Sequence, residues 1–109
     1  MIVIAPAAVS AHQHFFVTVD VNFPLQIRIP MGAVIPGTGH FHFFIDRPPF
    51  PPGVHTPDIG LPGIIHSITE RTLIPGLDPG THTITVTLAD GLDDTSDEVP
   101  PVSVTVIVR

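Results

Sequence analysis

Seven histidines stand in a chain that has no cysteine, tyrosine or tryptophan. Four of them fall in two near-repeats, HQHFF at 12–16 and HFHFF at 40–44. In an extended strand, residues two apart project from the same face. His40 and His42 therefore form one pair, and His12 and His14 another. A His-x-His pair on a strand offers two neutral nitrogen donors without distorting the backbone, and imidazole suits zinc or copper equally. If the two strands were neighbours, opposing Cβ atoms would lie about 4.5–5.5 Å apart. Imidazoles at that spacing can reach one ion at about 2.0–2.1 Å per nitrogen. His66, inside GIIHSITER, is a further ligand contributed from a separate strand. The metal candidates are thus His40, His42, His66, His12 and His14, with copper or zinc as the ion.

The remaining polar residues point away from catalysis. Asp46 shares the parity of His40 and His42 but lies too far along the strand to share their ion, and its expected part is in the turn that Arg47-Pro48-Pro49 begins. His82, at a turn-into-strand corner, is expected to donate to a loop carbonyl, and His55 to be solvated in a proline-rich loop. HFHFFIDRPPFPPG fits His-x-His-x3-acid-x6-Gly, the first metal motif of cupins, but the second motif has only PGTH at 79–82 to match it. No serine–histidine–aspartate order, phosphate-cradling glycine loop or carboxylate pair is present, and tyrosine, lysine and cysteine are missing as acid, base or nucleophile. The site reads as binding, not catalytic.

The elements that must hold these histidines are strands. Fourteen prolines and nine glycines cut the chain into short pieces, none with a sustained helical period. Alternation is clear in FFVTVDVNF (15–23), LQIRI (25–29), HFHFFID (40–46), HTITVTLAD (82–90) and VSVTVIVR (102–109). IVIA (2–5) and IIHSITERTLI (64–74) complete about seven strands. Seven short strands, each with one polar face, predict an all-β, antiparallel immunoglobulin-like β-sandwich, with a small jelly roll as the alternative. Residues 1–11 read as an N-terminal strand or arm and 12–109 as a single sandwich domain.

The charge balance restricts partners. Only Arg28, Arg47, Arg71 and Arg109 are basic, and the formal charge is −6. Four scattered arginines cannot neutralise a phosphate backbone, which excludes nucleic acid. No apolar run reaches the ~18 residues of a membrane span. With lysine absent and charged residues at 13% of the chain, much of the surface is expected to be covered by self-association through edge strands. A homo-oligomer or extracellular filament, assembled by edge-strand or donor-strand pairing, is the competing structural role. At the N-terminus Val9-Ser10-Ala11 has the small residues of a leader cleavage site, but no basic region precedes it and Pro6 breaks the apolar stretch. Were cleavage to follow Ala11, the free amine at His12 would join the imidazoles of His12 and His14 in a copper(II) arrangement.

GTGHFHFFID (37–46), LIPGLDPGTHTITVTLAD (73–90) and PPVSVTVIV (100–108) together resemble a bacterial domain-of-unknown-function family of small exported β-sandwich proteins. That family's signature is Gly-His-His-His-Leu-Leu-Ile-Asp, then Leu-x-Pro-Gly-x-His-Thr-Leu-x-Leu, then a closing Pro-Pro-Val-Ser strand. The resemblance covers residues 24–109; His40, His42 and Asp46 fall on the first motif and His82 on the second. His66 aligns loosely with a histidine before the family's penultimate strands, and Phe41 replaces the middle histidine of the triplet. The resemblance implies a β-sandwich and a periplasmic or extracellular location.

Overall fold

A computed structural model describes residues 1–109 as an all-β chain without a helix. Its strands are β1 (Ile2–Ile4), β2 (Ala8–Val9), β3 (Phe15–Asp20), β4 (Gln26–Ile27), β5 (Thr38–Ile45), β6 (Ile64–Ser67), β7 (Arg71–Ile74), β8 (Gly80–Ala89) and β9 (Val102–Val108). A three-stranded sheet has the order β1-β3-β7. A six-stranded sheet has the order β2-β9-β8-β5-β4, with β6 also paired to β5, and it curls into a half-barrel. The expected strands are present, with three differences, the first being a short additional strand, β2. The run 64–74 is two strands, one in each sheet, broken at Ile68–Glu70. The pairings β2·β9 and β4·β5 are parallel, whereas all others are antiparallel.

Alternation explains the core. Phe15, Val17 and Val19 of β3 and Ile74 of β7 meet Phe41 and Phe43 of β5, Ile84, Val86 and Leu88 of β8, and Val106 and Val108 of β9 in one apolar cluster. Each fully buried side chain of this size contributes about 1.5–3 kcal/mol by leaving water.

β5 departs from the expectation of one wet face. His40, His42 and Phe44 on its second face are as buried as Phe41 and Phe43 on the first. Two connections cover that second face. The proline-rich segment 46–63 and the acidic segment 90–101 pair with each other through Thr56 N–H to Asp93 O (2.8 Å), Gly53 N–H to Thr95 O (2.7 Å) and Thr95 N–H to Val54 O (3.0 Å). The Phe50 ring meets Phe44 edge-on at 5.9 Å. The histidine pair is therefore interior to the protein.

Candidate metal centre

Register sets the centre's positions. His42 of β5 pairs with His66 on β6 at one side and with Thr87 on β8 at the other. Directly opposed residues share a face, so the His66 ring lies beside that of His42, centroids 4.4 Å apart. His40 follows on the same face, its ring 4.8 Å from that of His42.

The fourth group comes from the loop after β8. The Asp90 carboxylate accepts the N–H groups of Leu92 (2.9 Å) and Asp94 (3.1 Å), folding Asp90–Asp94 into a tight turn. Within it Asp93 takes a left-handed backbone, φ 60°, a conformation that aspartate tolerates better than most residues. The turn approaches the 32–33 segment closely, since a Cβ on Gly91 would lie 1.8 Å from the Ala33 carbonyl oxygen. The Asp93 carboxylate is thereby aimed down onto the histidine face.

His40 Nε2 is 2.8 Å and His42 Nε2 3.1 Å from Asp93 Oδ1, and the two Nε2 atoms are 3.0 Å from each other. His66 Nδ1 is 3.5 Å from the same oxygen, while its Nε2 faces the Asp58 carboxylate at 3.9 Å. One ligand atom from each of His40, His42, His66 and Asp93 fits within a 4.8 Å span. Protons alone serve this arrangement poorly. If both Nε2–H groups donate to Asp93, two hydrogens crowd between nitrogens 3.0 Å apart, and each Nδ1 becomes a buried acceptor. Neither His40 Nδ1 nor His42 Nδ1 has a hydrogen-bond partner. A cation removes the conflict. The three close atoms lie on a circle of radius about 1.7 Å, so a point at a bonding distance of about 2.0–2.1 Å from all three sits ~1.1 Å from their plane. The donor set fits zinc or copper.

Burial and the neighbouring His66 and His40 push the His42 pKa down to about 4, against the pull of Asp93. Burial raises the Asp93 carboxyl, but hydrogen bonds and charge from His40 and His42 outweigh it and hold the group below the usual carboxylate range. At neutral pH the centre thus offers a neutral His42 imidazole and an ionised carboxylate, the forms that ligate metals.

The five candidate histidines do not all meet. His40, His42 and His66 come together. His12 and His14 precede β3, which lies in the three-stranded sheet and is no neighbour of β5. Both are exposed, and His12 Nδ1 faces Asp78 at 3.6 Å; they do not join the group formed by His40, His42 and His66. Asp46 is also apart, accepting from His82 Nδ1 (2.5 Å) and Thr83 N–H (2.9 Å). His82 Nε2 donates to the Asp78 carbonyl at 2.7 Å, the expected corner bond. The cupin pattern therefore does not describe the cluster. His55 is largely exposed, yet its Nδ1–H donates to Leu92 O at 2.7 Å. Asp93 was not among the sequence candidates. Its only signal lay in the acidic loop that begins one residue after Ala89, which pairs with His40.

A cleft of about 730 Å³ between residues 23–38 and 88–99 contains none of the four ligands. Fold and site together define an all-β protein with a partly buried three-histidine, one-aspartate cluster that could hold a metal ion. No protein-family model, curated protein or solved structure matches the chain. No helix is long and apolar enough to cross a membrane.

Proposed function

We propose that this chain is a non-catalytic β-module that holds one divalent transition-metal ion, zinc or copper, on His40, His42, His66 and Asp93. The observation that carries the reading is the triangle of His40 Nε2, His42 Nε2 and Asp93 Oδ1, with edges of 2.8–3.1 Å, which hydrogen bonds alone cannot satisfy. Closed four-ligand sites characterise structural ions, whereas catalytic sites keep a position open. The strand order supports an immunoglobulin-like scaffold, in which β1-β3-β7 would oppose β9-β8-β5-β6. The family resemblance supports a periplasmic or extracellular location for such a module.

The test is metal content by plasma mass spectrometry on protein purified without an affinity tag or chelator, followed by zinc and copper titration. We expect about one ion per chain. The double variant His40→Ala/His42→Ala should lose it, and His12→Ala/His14→Ala should keep it. Full affinity in the first double variant refutes the reading.

A second role, self-association, is favoured by one surface. Ile2, Ile4, Phe16 and Leu73 are 43–58% exposed on the outward face of the three-stranded sheet. Light scattering should then find an oligomer that Leu73→Asp dissociates, and a monomeric wild type at high concentration removes this role.

A further inference from the structure

Five buried side-chain atoms lack a hydrogen-bond partner: His40 Nδ1, His42 Nδ1, Thr56 Oγ1, Thr87 Oγ1 and Thr95 Oγ1. Unpaired groups of this kind in a native interior call for an explanation. Two are the outer nitrogens of imidazoles whose Nε2 atoms face Asp93. An imidazole that ligates through Nε2 must carry its proton on Nδ1, and that N–H ordinarily finds a carboxylate, carbonyl or water.

The sheet register places one of the unpaired hydroxyls beside that need. Thr87 stands directly opposite His42, so the side chains project from the same face with Cβ atoms about 4.5–5.5 Å apart. Thr87 is 1% exposed and His42 0%, and water from bulk cannot serve either. Along β8 the next hydroxyl on this face, Thr85, is already paired with Ser103 at 2.7 Å. Ala89, opposite His40, has no hydroxyl to offer. Thr56 and Thr95 reach this face from the covering loops, Thr95 through a bridge to Ala89, but neither is a register partner of His42. An unpaired hydroxyl and an unpaired ring nitrogen thus stand on register partners of adjacent strands.

We propose that Thr87 is a positioning residue for the metal: its hydroxyl accepts the Nδ1–H of His42 and fixes the tautomer that turns Nε2 to the ion. The two atoms are register partners that share no hydrogen bond in the structure. A rotation of the Thr87 side chain, or one buried water between them, closes the pair. This inference rests on the metal reading above and assigns that site an outer shell on β8.

The test is isothermal titration with zinc of wild type, Thr87→Val, Thr87→Ser and Thr85→Val, each also unfolded in chelator. Loss of an outer-shell partner lowers metal affinity about 10–100-fold, and that is the result expected for Thr87→Val. Thr87→Ser, which restores the hydroxyl, should recover most of the affinity, and Thr85→Val should bind zinc like wild type. In chelator Thr87→Val should unfold at or above the wild-type midpoint, because it removes a buried hydroxyl without a partner and no existing hydrogen bond. Long-range nitrogen NMR of the zinc-loaded wild type should show His42 protonated at Nδ1. Undiminished zinc affinity in Thr87→Val, failure of serine to rescue, or a lowered midpoint in chelator each overturns the inference while leaving the metal site standing. A wild type that takes up no zinc and no copper overturns both.

Discussion

Acid should destabilise the metal-free protein through His42 well before its carboxylates titrate. In the folded chain burial and the neighbouring His66 and His40 lower this pKa to about 4 from the ordinary 6.5. The unfolded chain therefore binds the proton first, and stability rises with pH wherever the unfolded state holds more protons. The contribution is constant above pH 6.5, declines as pH falls from there, and levels off below about 4. A difference of 2.5 pKa units corresponds to about 3 kcal/mol at full extent. At pH 4.5 between 2 and 3 kcal/mol of this should be gone, a large part of the ~5–15 kcal/mol that holds a domain of this size together. In a thermal scan it amounts to a fall in Tm of about 10–20 °C. The assay is urea unfolding in EDTA at half-unit steps from pH 7.5 to 4.5, on wild type and His42→Gln. Stability that is flat between pH 6.5 and 4.5, or a slope that survives in the variant, would refute the reasoning.

Two further outcomes follow from geometry. Both His82 nitrogens face oxygen acceptors, Asp46 and the Asp78 carbonyl, so the protonated ring is favoured and its pKa is raised, chiefly by the Asp46 hydrogen bond; its stabilisation is complete below pH 6.5 and declines as pH rises through the folded value, a slope that Asp46→Asn should abolish in the same unfolding series. Gly91→Ala forces a Cβ to within 1.8 Å of the Ala33 carbonyl oxygen, and backbone cannot yield as a flexible side chain does. The turn carrying Asp93 should shift, reducing zinc affinity at least tenfold by titration, and a variant with wild-type affinity would show that the turn does not depend on this approach.

How much of the site was legible depended on how local its cause was. The projection of His40 and His42 together follows from the two-residue period of a strand, and so does the placing of Phe41 and Phe43 in the core. HQHFF has the same local grammar, yet its strand pairs with β1 and β7 in the other sheet, and no residue in the repeat encodes that choice. The break in 64–74 escaped for a related reason. The segment 64–74 has no clean alternation to show where the chain crosses between sheets at Ile68–Glu70, a crossing tied by Ser67 Oγ and Thr72 Oγ1 at 2.6 Å. Asp93 was hidden more deeply, because its approach depends on the β5·β8 register and on the return path of an irregular loop. One overlooked signal was available. Phe44 has the parity of His40 and His42, and a large aromatic on a supposedly wet face indicates that something covers it.

That cover changes what the histidines mean. On an exposed sheet face a His-x-His pair has no cost and needs no purpose. Here His40 and His42 are at most 1% exposed, and each keeps an unpaired Nδ1. An unsatisfied buried polar atom costs about 1–3 kcal/mol, whereas apolar side chains of similar shape at the same positions would cost none of it. Stability alone thus argues against this pair. So does the turn above it, which holds Asp93 at a positive φ and lays a carboxylate over the imidazoles. Local rules broken together, in one place, by residues brought from β5, β6 and a loop after β8, mark the functional sites of otherwise consistent folds. A divalent ion held by these four residues would relieve these conflicts jointly, by balancing the carboxylate charge and giving the Nδ1 protons a single direction. Folding requirements leave these features unexplained, and metal coordination would account for them together.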